Sequence, residues 1–399
     1  MAPDDKPYRV YKGGRAKGKV PAPRGAAGTR PARGEGGRYR GPGAVRQART
    51  GRLAFLRGVR WRRWIPIGLA TLLVLFVIWA LASFFAVEGG VSDANKRLDA
   101  AARAALTHQG GLLISHATTI LVLGTDNAPI AGRTSDNHSD SIMLVRTDPS
   151  HHRIAYLSIP RDLRVPVPGV GNTKINAAMQ FGGPALAIKT IAQFTGIPIN
   201  HVVVVNFADF KELINAVGGI TVDVPDAVRS NRFDCPYATQ TQCQRWQGWR
   251  FRKGSQHMDG EQALVYSRIR ENLLNPRESS DIFRSSRQQA VTQGVLSKLT
   301  SFSTLAGLPF HGGSLVKPVS TDLSTWQLFE LGWVKFRSSG GSALHCRLGG
   351  DSSSYGSDLT PSEDNVTVLA EFLGKSAPQL PNPANGPFAP GCAVGHTLT

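Results

Sequence analysis

The chain has 399 residues, 41% hydrophobic and 19% charged, a length that ordinarily makes two or three domains and a composition that excludes wholesale disorder. Its formal net charge of +18 is unevenly spread. Residues 1–63 hold 18 basic and three acidic residues, and the remainder is only +3. The positive charge therefore belongs to a tail, which argues against nucleic-acid binding by the chain as a whole.

Residues 1–63 are rich in Gly, Pro, Ala and Arg and lack aliphatic periodicity, which predicts a disordered basic tail. A near-match to a phosphate loop at Gly13–Val20 lacks the Ser/Thr after Lys19 and follows no strand. From Ile65 to Val87 no charged residue occurs, long enough to cross a bilayer as a helix, with Trp61, Trp64 and Trp79 suited to its interfaces. The sequence thus predicts a transmembrane helix over 64–87. Arg57, Arg60, Arg62 and Arg63 precede the run and Glu88 and Asp93 follow it, which places the tail in the cytoplasm and residues 88–399 outside. A cleaved signal peptide, with Ala80-Leu81-Ala82-Ser83 as the processing site, fits less well, because the basic region and the apolar run are both too long.

Residues 88–111 read as an amphipathic stalk helix carrying Leu98, Ala102 and Leu106, and 112–375 as the extracytoplasmic domain. Strands are expected at Thr119–Leu123, Asp140–Arg146, Arg153–Ile159, His201–Phe207 and Ile220–Val224. Helices are expected at Asn176–Phe194, interrupted by Gly182-Gly183-Pro184, at Phe210–Val217, at Met258–Leu264 and at Phe283–Leu299, with Val265–Arg270 extended. Strands alternating with helices predict an α/β fold, one mixed sheet sandwiched by helices. Residues 376–399 form a Pro/Gly-rich tail. Four cysteines outside the membrane favour disulfides: the short loop pairs Cys235 with Cys243 and leaves Cys346 for Cys392.

The chemistry lies in arginines and carboxylates. Arg268 and Arg270, two apart in an extended segment, would share one face beside Tyr266. Asp281, Arg284 and Gln288 fall on one helix face, Arg161 follows a strand end, and Lys174 enters a helix. Converging guanidiniums suit phosphate, since each forks two N–H donors onto anionic oxygens. Asp126 ends one strand and Asp140 begins the next, so a hairpin-like connection would bring together two carboxylates suited to Mg²⁺. Equally, Asp126 makes a turn or cap and Asp140 pairs with a local Lys or Arg. His138, His151, His152 and His201 have no partners at ligand spacing, and no Gly-x-Ser-x-Gly elbow occurs.

Eight segments in order resemble the LytR-CpsA-Psr family of cell-envelope proteins: Ile120–Asp126, Ser139–Leu144, Ser158–Asp162, Lys174–Ala178, Gly218–Pro225, Met258–Leu264, Tyr266–Arg270 and Asp281–Gln289. The basic tail is similar to that of actinobacterial members. The Cys235–Cys243 loop and the stretch Asn272–Ser280 depart from the family pattern.

The resemblance implies a membrane-anchored transferase. Such an enzyme moves a phospho-glycopolymer from a polyprenyl-pyrophosphate carrier to a peptidoglycan sugar hydroxyl. It implies Asp126 and Asp140 as ligands of Mg²⁺, with Mn²⁺ as a substitute. Arg161, Arg268, Arg270, Arg284 and Gln288 become the pyrophosphate-binding set, with Lys174 and Asp281 nearby. Arg161, Arg268, Arg270 and Asp281 are the residues expected to carry catalysis, and no nucleic-acid partner is expected. Two other readings use the same chain: a lipid or nucleotide pyrophosphatase, with water in place of the sugar, and a membrane-bound transcriptional regulator.

Overall fold

The computed structural model describes residues 61–125, 139–232, 235–237, 239–276, 281–352, 358–382 and 389–395. Most of the basic tail and Asp126 lie outside them, as do the side chains of Asp281 and Ile282. Helix α1 runs Trp61–Lys96, so the segment read as a span and the start of the segment read as a stalk are one continuous helix of about 54 Å. Its first half is exposed and apolar from Ile65 through Ile78, while Val87, Val91 and Ala94 are buried. By length and composition α1 can cross a membrane.

Seven strands form the central sheet: β1 (Thr118–Thr125), β2 (Ser139–Asp148), β3 (Arg153–Ser158), β6 (His201–Asn206), β11 (Ser320–Thr321), β12 (Leu344–Arg347) and β15 (Gly391–Val394). Their order is β11-β6-β1-β2-β3-β12-β15. β1 pairs antiparallel with β2 and β2 antiparallel with β3, while β1–β6 and β3–β12 pair parallel, so β1, β3, β6 and β12 all point the same way. Four two-stranded ribbons surround the sheet: β4 (Arg164–Val167) with β5 (Gly171–Lys174), β7 (Ile220–Val224) with β10 (Gly254–Met258), β8 (Val228–Arg229) with β9 (Arg250–Phe251), and β13 (Gly350–Ser352) with β14 (Leu359–Pro361).

The period of two along the strands divides the sheet's side chains between two layers. On one face Leu121, Leu123, Ile142, Leu144 and Leu157 pack against α2 (Ala100–Ala105), α3 (Ala177–Thr195) and α10 (Asn365–Phe372) in a closed core. Leu98 and Ala102, read as part of a stalk, belong to this core. Helix α3 bends where Gly183 takes φ 58°, a conformation costly for any residue with a Cβ, and Pro184 restarts the helix. The other face is covered by α4 (Phe207–Ala216), α6 (Gly260–Arg268), α7 (Asp281–Leu299), α8 (Phe302–Val316) and α9 (Thr325–Arg337), which with the β7–β10 ribbon build a second core around Ile214, Val222, Tyr266, Val291 and Leu308. Val87 and Val91 of α1 join that core.

Two sequence expectations need correction. Val265–Arg270 is not extended: Asp259 and Gln262 form a capping box that starts α6, which runs through Arg268 before the backbone leaves the helix at Ile269. The two-apart spacing of Arg268 and Arg270 did not outweigh that cap. The C-terminal stretch is also more than a tail, because β15 forms the sheet's edge opposite Leu344–Arg347. Both disulfides pair as expected, Cys235–Cys243 within the loop that carries α5 (Gln240–Arg245) and Cys346–Cys392 across β12 and β15.

The second disulfide closes a loop of 46 residues, the first only 8. Chain entropy then gives about 4 kcal/mol for Cys346–Cys392 and about 2.5 kcal/mol for Cys235–Cys243. Replacing Cys346 and Cys392 together by Ser should lower the urea midpoint clearly more than the same change at Cys235 and Cys243.

Candidate functional site

The cation-bearing loops gather at the carboxyl ends of the four co-directional strands. The last residue of β1, Thr125, sits opposite Ser139, so the strand end before Asp126 does meet the strand start that carries Asp140. Asp140 and Ser141 open β2. Arg161 lies just past β3, in a turn whose carbonyls accept from Asn176 and Ile175 beyond β5. Those bonds bring Arg161 and Lys174, 13 positions apart in sequence, to one place.

There the charges interlock. The Arg161 guanidinium is ion-paired to Asp140 and stands 3.5 Å from Asp162, which takes the Lys174 ammonium at 2.9 Å. Asp140 therefore makes the local arginine pair that the sequence set beside its metal reading. Asp358 accepts from Arg164 at 2.8 Å and lies 3.5 Å from Lys174. The Arg164 hydrogen bond, with help from Lys174 and against the effect of burial, holds the Asp358 carboxyl below the usual carboxylate range.

Helix α7 closes the opposite side. Gln288 Oε1 accepts from Ser141 Oγ at 3.1 Å, and Arg284, one turn earlier, is buried. Arg268 ends α6 with its guanidinium 4.5 Å from the centre of the Phe207 ring, at the start of α4. Arg270 follows in the turn beyond. The two arginines share a site, although through a helix end and not through one face of a strand. The Ile269 carbonyl between them accepts from Arg287 Nη1 at 2.9 Å, and Arg287 also lies over Tyr266 at 6.0 Å.

A cavity of about 1250 Å³ joins these groups to an apolar channel. Arg161, Lys174, Arg268, Arg270 and Arg284, with Asp140, Asp162 and Glu271, line it beside Ser141, Asn176 and Gln288. Below them the wall turns hydrocarbon: Ile120, Val122, Val145, Val203 and Val205 from the sheet, Val291, Val295, Leu296 and Leu299 from α7, and Leu305, Leu308 and Leu315 from α8. Along α7, Arg284 to Leu299 spans about 22 Å, which measures the passage from cations to the far apolar end.

Among the residues to which the sequence reading gave no role are Ser141, Asp162, Arg164, Glu271 and Asp358 of the polar end, and also Arg287 and Asn176. Arg287 is three positions from Arg284 and is the same residue type; only the helix phase separates a wall residue from a brace. Asn176 precedes α3 without capping it, and among the described residues its buried Oδ1 finds no hydrogen-bond partner. Asn176 and Asp140 both line the cavity, and their side chains carry hard oxygens of the type Mg²⁺ or Mn²⁺ takes. Among the described residues no cluster of three His, Cys, Asp or Glu side chains forms.

Arg287→Ala should lower stability by about 2–4 kcal/mol, since it strips a buried carbonyl of a charged donor and leaves a cavity under Tyr266. Urea titration measures it. Asp358 gives a pH signature. Because its folded pKa is depressed, its stabilisation is full above the unfolded value of about 3.9 and is lost as pH falls through the folded value. The stability gap between wild type and Asp358→Asn at pH 7 should close in strongly acidic urea titrations.

Residues 84–340 match the LytR_cpsA_psr family. The polyisoprenyl-teichoic acid–peptidoglycan teichoic acid transferase TagU of Bacillus cereus (strain AH820) is 35% identical over 219 residues, 54% of this chain and 64% of that protein. The corresponding transferase TagV of Bacillus subtilis (strain 168) is 35% identical over 191 residues, 47% of this chain and 45% of that protein. Among solved structures, B. subtilis TagV superposes with a TM-score of 0.51 at 27% identity, covering 66% of this chain and 99% of that one. TagT bound to LIIa-WTA superposes with a TM-score of 0.52 at 25% identity, covering 67% and 93%. The chain thus spans 64% of the length of the first of these curated relatives. With the match running over most of the folded part and through every segment that builds the cavity, the chain belongs to the LytR_cpsA_psr family.

Proposed function

We propose that this protein is a membrane-anchored glycopolymer transferase. It takes a phospho-glycan from a polyprenyl-pyrophosphate carrier and joins it to a sugar hydroxyl of peptidoglycan. The observation that carries the reading is the cavity's two-part wall, five cationic side chains at one end and a hydrocarbon wall below them that ends about 22 Å from Arg284 along α7. A prenyl pyrophosphate has the same division along its length. The names of TagU and TagV, teichoic acid–peptidoglycan transferases, and the TagT structure with LIIa-WTA support it. In this reading α1 spans the membrane once, with the basic tail cytoplasmic and the catalytic domain outside, where disulfides persist.

The chemistry follows from charge. Arg161, Arg268, Arg270 and Arg284 fork N–H donors onto the pyrophosphate oxygens, with Lys174 and Gln288 completing the shell. Asp140, with Asp126, would hold Mg²⁺ or Mn²⁺, which would supply further neutralisation of phosphate charge. The sugar hydroxyl oxygen bonds to the phosphorus that bears the glycan, the bridging P–O bond breaks, and polyprenyl phosphate leaves with the electron pair. Positioning and electrostatics dominate. Asp126, Asp140 or Asp281 at most takes the hydroxyl proton.

The test uses the full-length protein, since α1 shares the domain's core, with a polyprenyl-pyrophosphate oligosaccharide and a peptidoglycan fragment. Mass spectrometry should find the phosphodiester-linked conjugate, lost with a chelator and restored by Mg²⁺. Arg161→Ala and Arg268→Ala should each slow it about 10²–10³-fold. Lipid phosphate released without conjugate would replace this reading with a pyrophosphatase. Folded Arg161→Ala enzyme at wild-type rate would remove Arg161 from the site.

A further inference from the structure

The lipid carrier of the reading above must enter a channel whose apolar end lies beside α1. Three contacts set the height of that end. Trp79 donates its indole N–H to the Ala306 carbonyl at 3.2 Å, so the first turns of α8 lie level with the uncharged run of α1. Phe84 stacks on Phe329 of α9 at 6.3 Å. Gly90 meets Gly313 so closely that a Cβ on Gly90 would strike the Gly313 backbone. Helices α1 and α8 therefore run in the same direction, with the start of α8 toward the exposed half of α1.

Around that end the surface is aromatic. On α9, Trp326, Phe329, Trp333 and Phe336 fall at i, i+3, i+7 and i+10, one face of the helix. Trp333 and Phe336 stack at 5.9 Å, line the cavity, and are still 53% and 68% exposed. On α8, Phe302 and Phe310 share the face of Ala306 and Gly313 and are 86% and 89% exposed. Lys335 and Arg337 close α9. Long cationic stems of this kind lie along hydrocarbon and lift their charge to a headgroup layer, where tryptophan also prefers to sit.

We propose that this α8–α9 rim is itself membrane-seated. It inserts into the leaflet next to α1, so that the channel's apolar end opens into the acyl-chain region and the prenyl carrier enters sideways without crossing water. The bilayer is the occupant because the rim continues the exposed apolar surface of α1. Trp79 ties the two at one depth. A contiguous exposed apolar surface rimmed by polar residues marks a membrane or protein contact.

Depth quenching tests it on the full-length protein in vesicles of phosphatidylethanolamine and phosphatidylglycerol. The four native cysteines are in disulfides, so a bimane label goes only to an introduced thiol. Labels at Phe302→Cys, Phe310→Cys and Trp326→Cys are compared with Leu75→Cys on α1 and with Val366→Cys, exposed on α10 behind the sheet. Nitroxide carried on the lipid chains should quench the three rim labels about threefold more than Val366→Cys. Rim labels that match Val366→Cys while Leu75→Cys is quenched would overturn the seated rim and leave the anchor standing. An unquenched Leu75→Cys would remove the anchor reading instead. Rim labels shielded from water but not reached by lipid nitroxide would mean that a second copy covers the rim, which also overturns the proposal. Phe302 and Phe310 are nearly free of contacts, so their replacement leaves the fold intact.

Discussion

One buried glutamine decides where α7 lies. Gln289 donates to Ser158 Oγ and to the Cys346 carbonyl, both at 2.8 Å, and accepts at Oε1 from His345 Nδ1 at 3.1 Å. Its amide thus spans β3 and β12, and it is fully satisfied among groups that would be costly to leave unpaired. His345 is in turn stacked on Tyr156 at 5.1 Å. The middle of α7 is therefore held on the sheet by direction-specific polar bonds. The rest of the helix need not press against β1 and β6, and the gap it leaves is the channel. From this one attachment α7 turns Arg284 and Gln288 to the polar end, Val291 through Leu299 to the hydrocarbon wall, and Arg287 toward the turn between Arg268 and Arg270.

The two faces of the sheet behave differently for the same reason. The face toward α2, α3 and α10 closes into one continuous core, with Leu121, Leu144 and Leu157 fully buried. The face toward α7 splits into a small cluster around Met143 and Tyr156 and a larger one among the helices, with the cavity between. Apolar residues such as Val122, Val203 and Leu296 line space there where a packed core would have met them with other side chains. A hydrocarbon ligand is the natural partner for such a wall, and the cation end fixes which way round it lies.

Much of this was legible in the chain. Strands at Thr119–Leu123, Asp140–Arg146 and Arg153–Ile159 were visible because each holds a short continuous apolar run, as strands covered on both faces do, and their ends are marked by Gly124, Asp148-Pro149 and Pro160. The break at Gly182-Gly183-Pro184 and the pairing of four cysteines followed from residues with few conformational options. The segment Tyr266–Arg270 misled because two arginines two positions apart fit the last residue of a helix and the loop after it as well as they fit a strand face. The Asp259–Gln262 capping box upstream was the stronger signal. Helices α8 and α9 and strand β15 were invisible for a different reason. α8 carries Pro309 and three glycines, and β15 is four residues long and exists only opposite β12. The roles of Gln288 and Gln289, adjacent and identical in sequence, differ by about 100° of helix phase, which only the docked helix reveals.

The arginine at position 161 shows how the site's charges constrain one another. It is paired to Asp140 and beside Asp162, and Lys174 is shared between Asp162 and Asp358, so no cation in this cluster stands alone. Such a lattice orients guanidinium and ammonium groups before a ligand arrives, so less side-chain entropy is lost on binding than by five unrestrained cations. It also has a consequence for the carboxylates. An anion that takes the outer donors of Arg161 weakens its hold on Asp140, and that frees a carboxylate oxygen at the moment the pyrophosphate brings new negative charge. On the proposed reading, a divalent cation and the pyrophosphate would then bind cooperatively, because each relieves the charge that the other introduces.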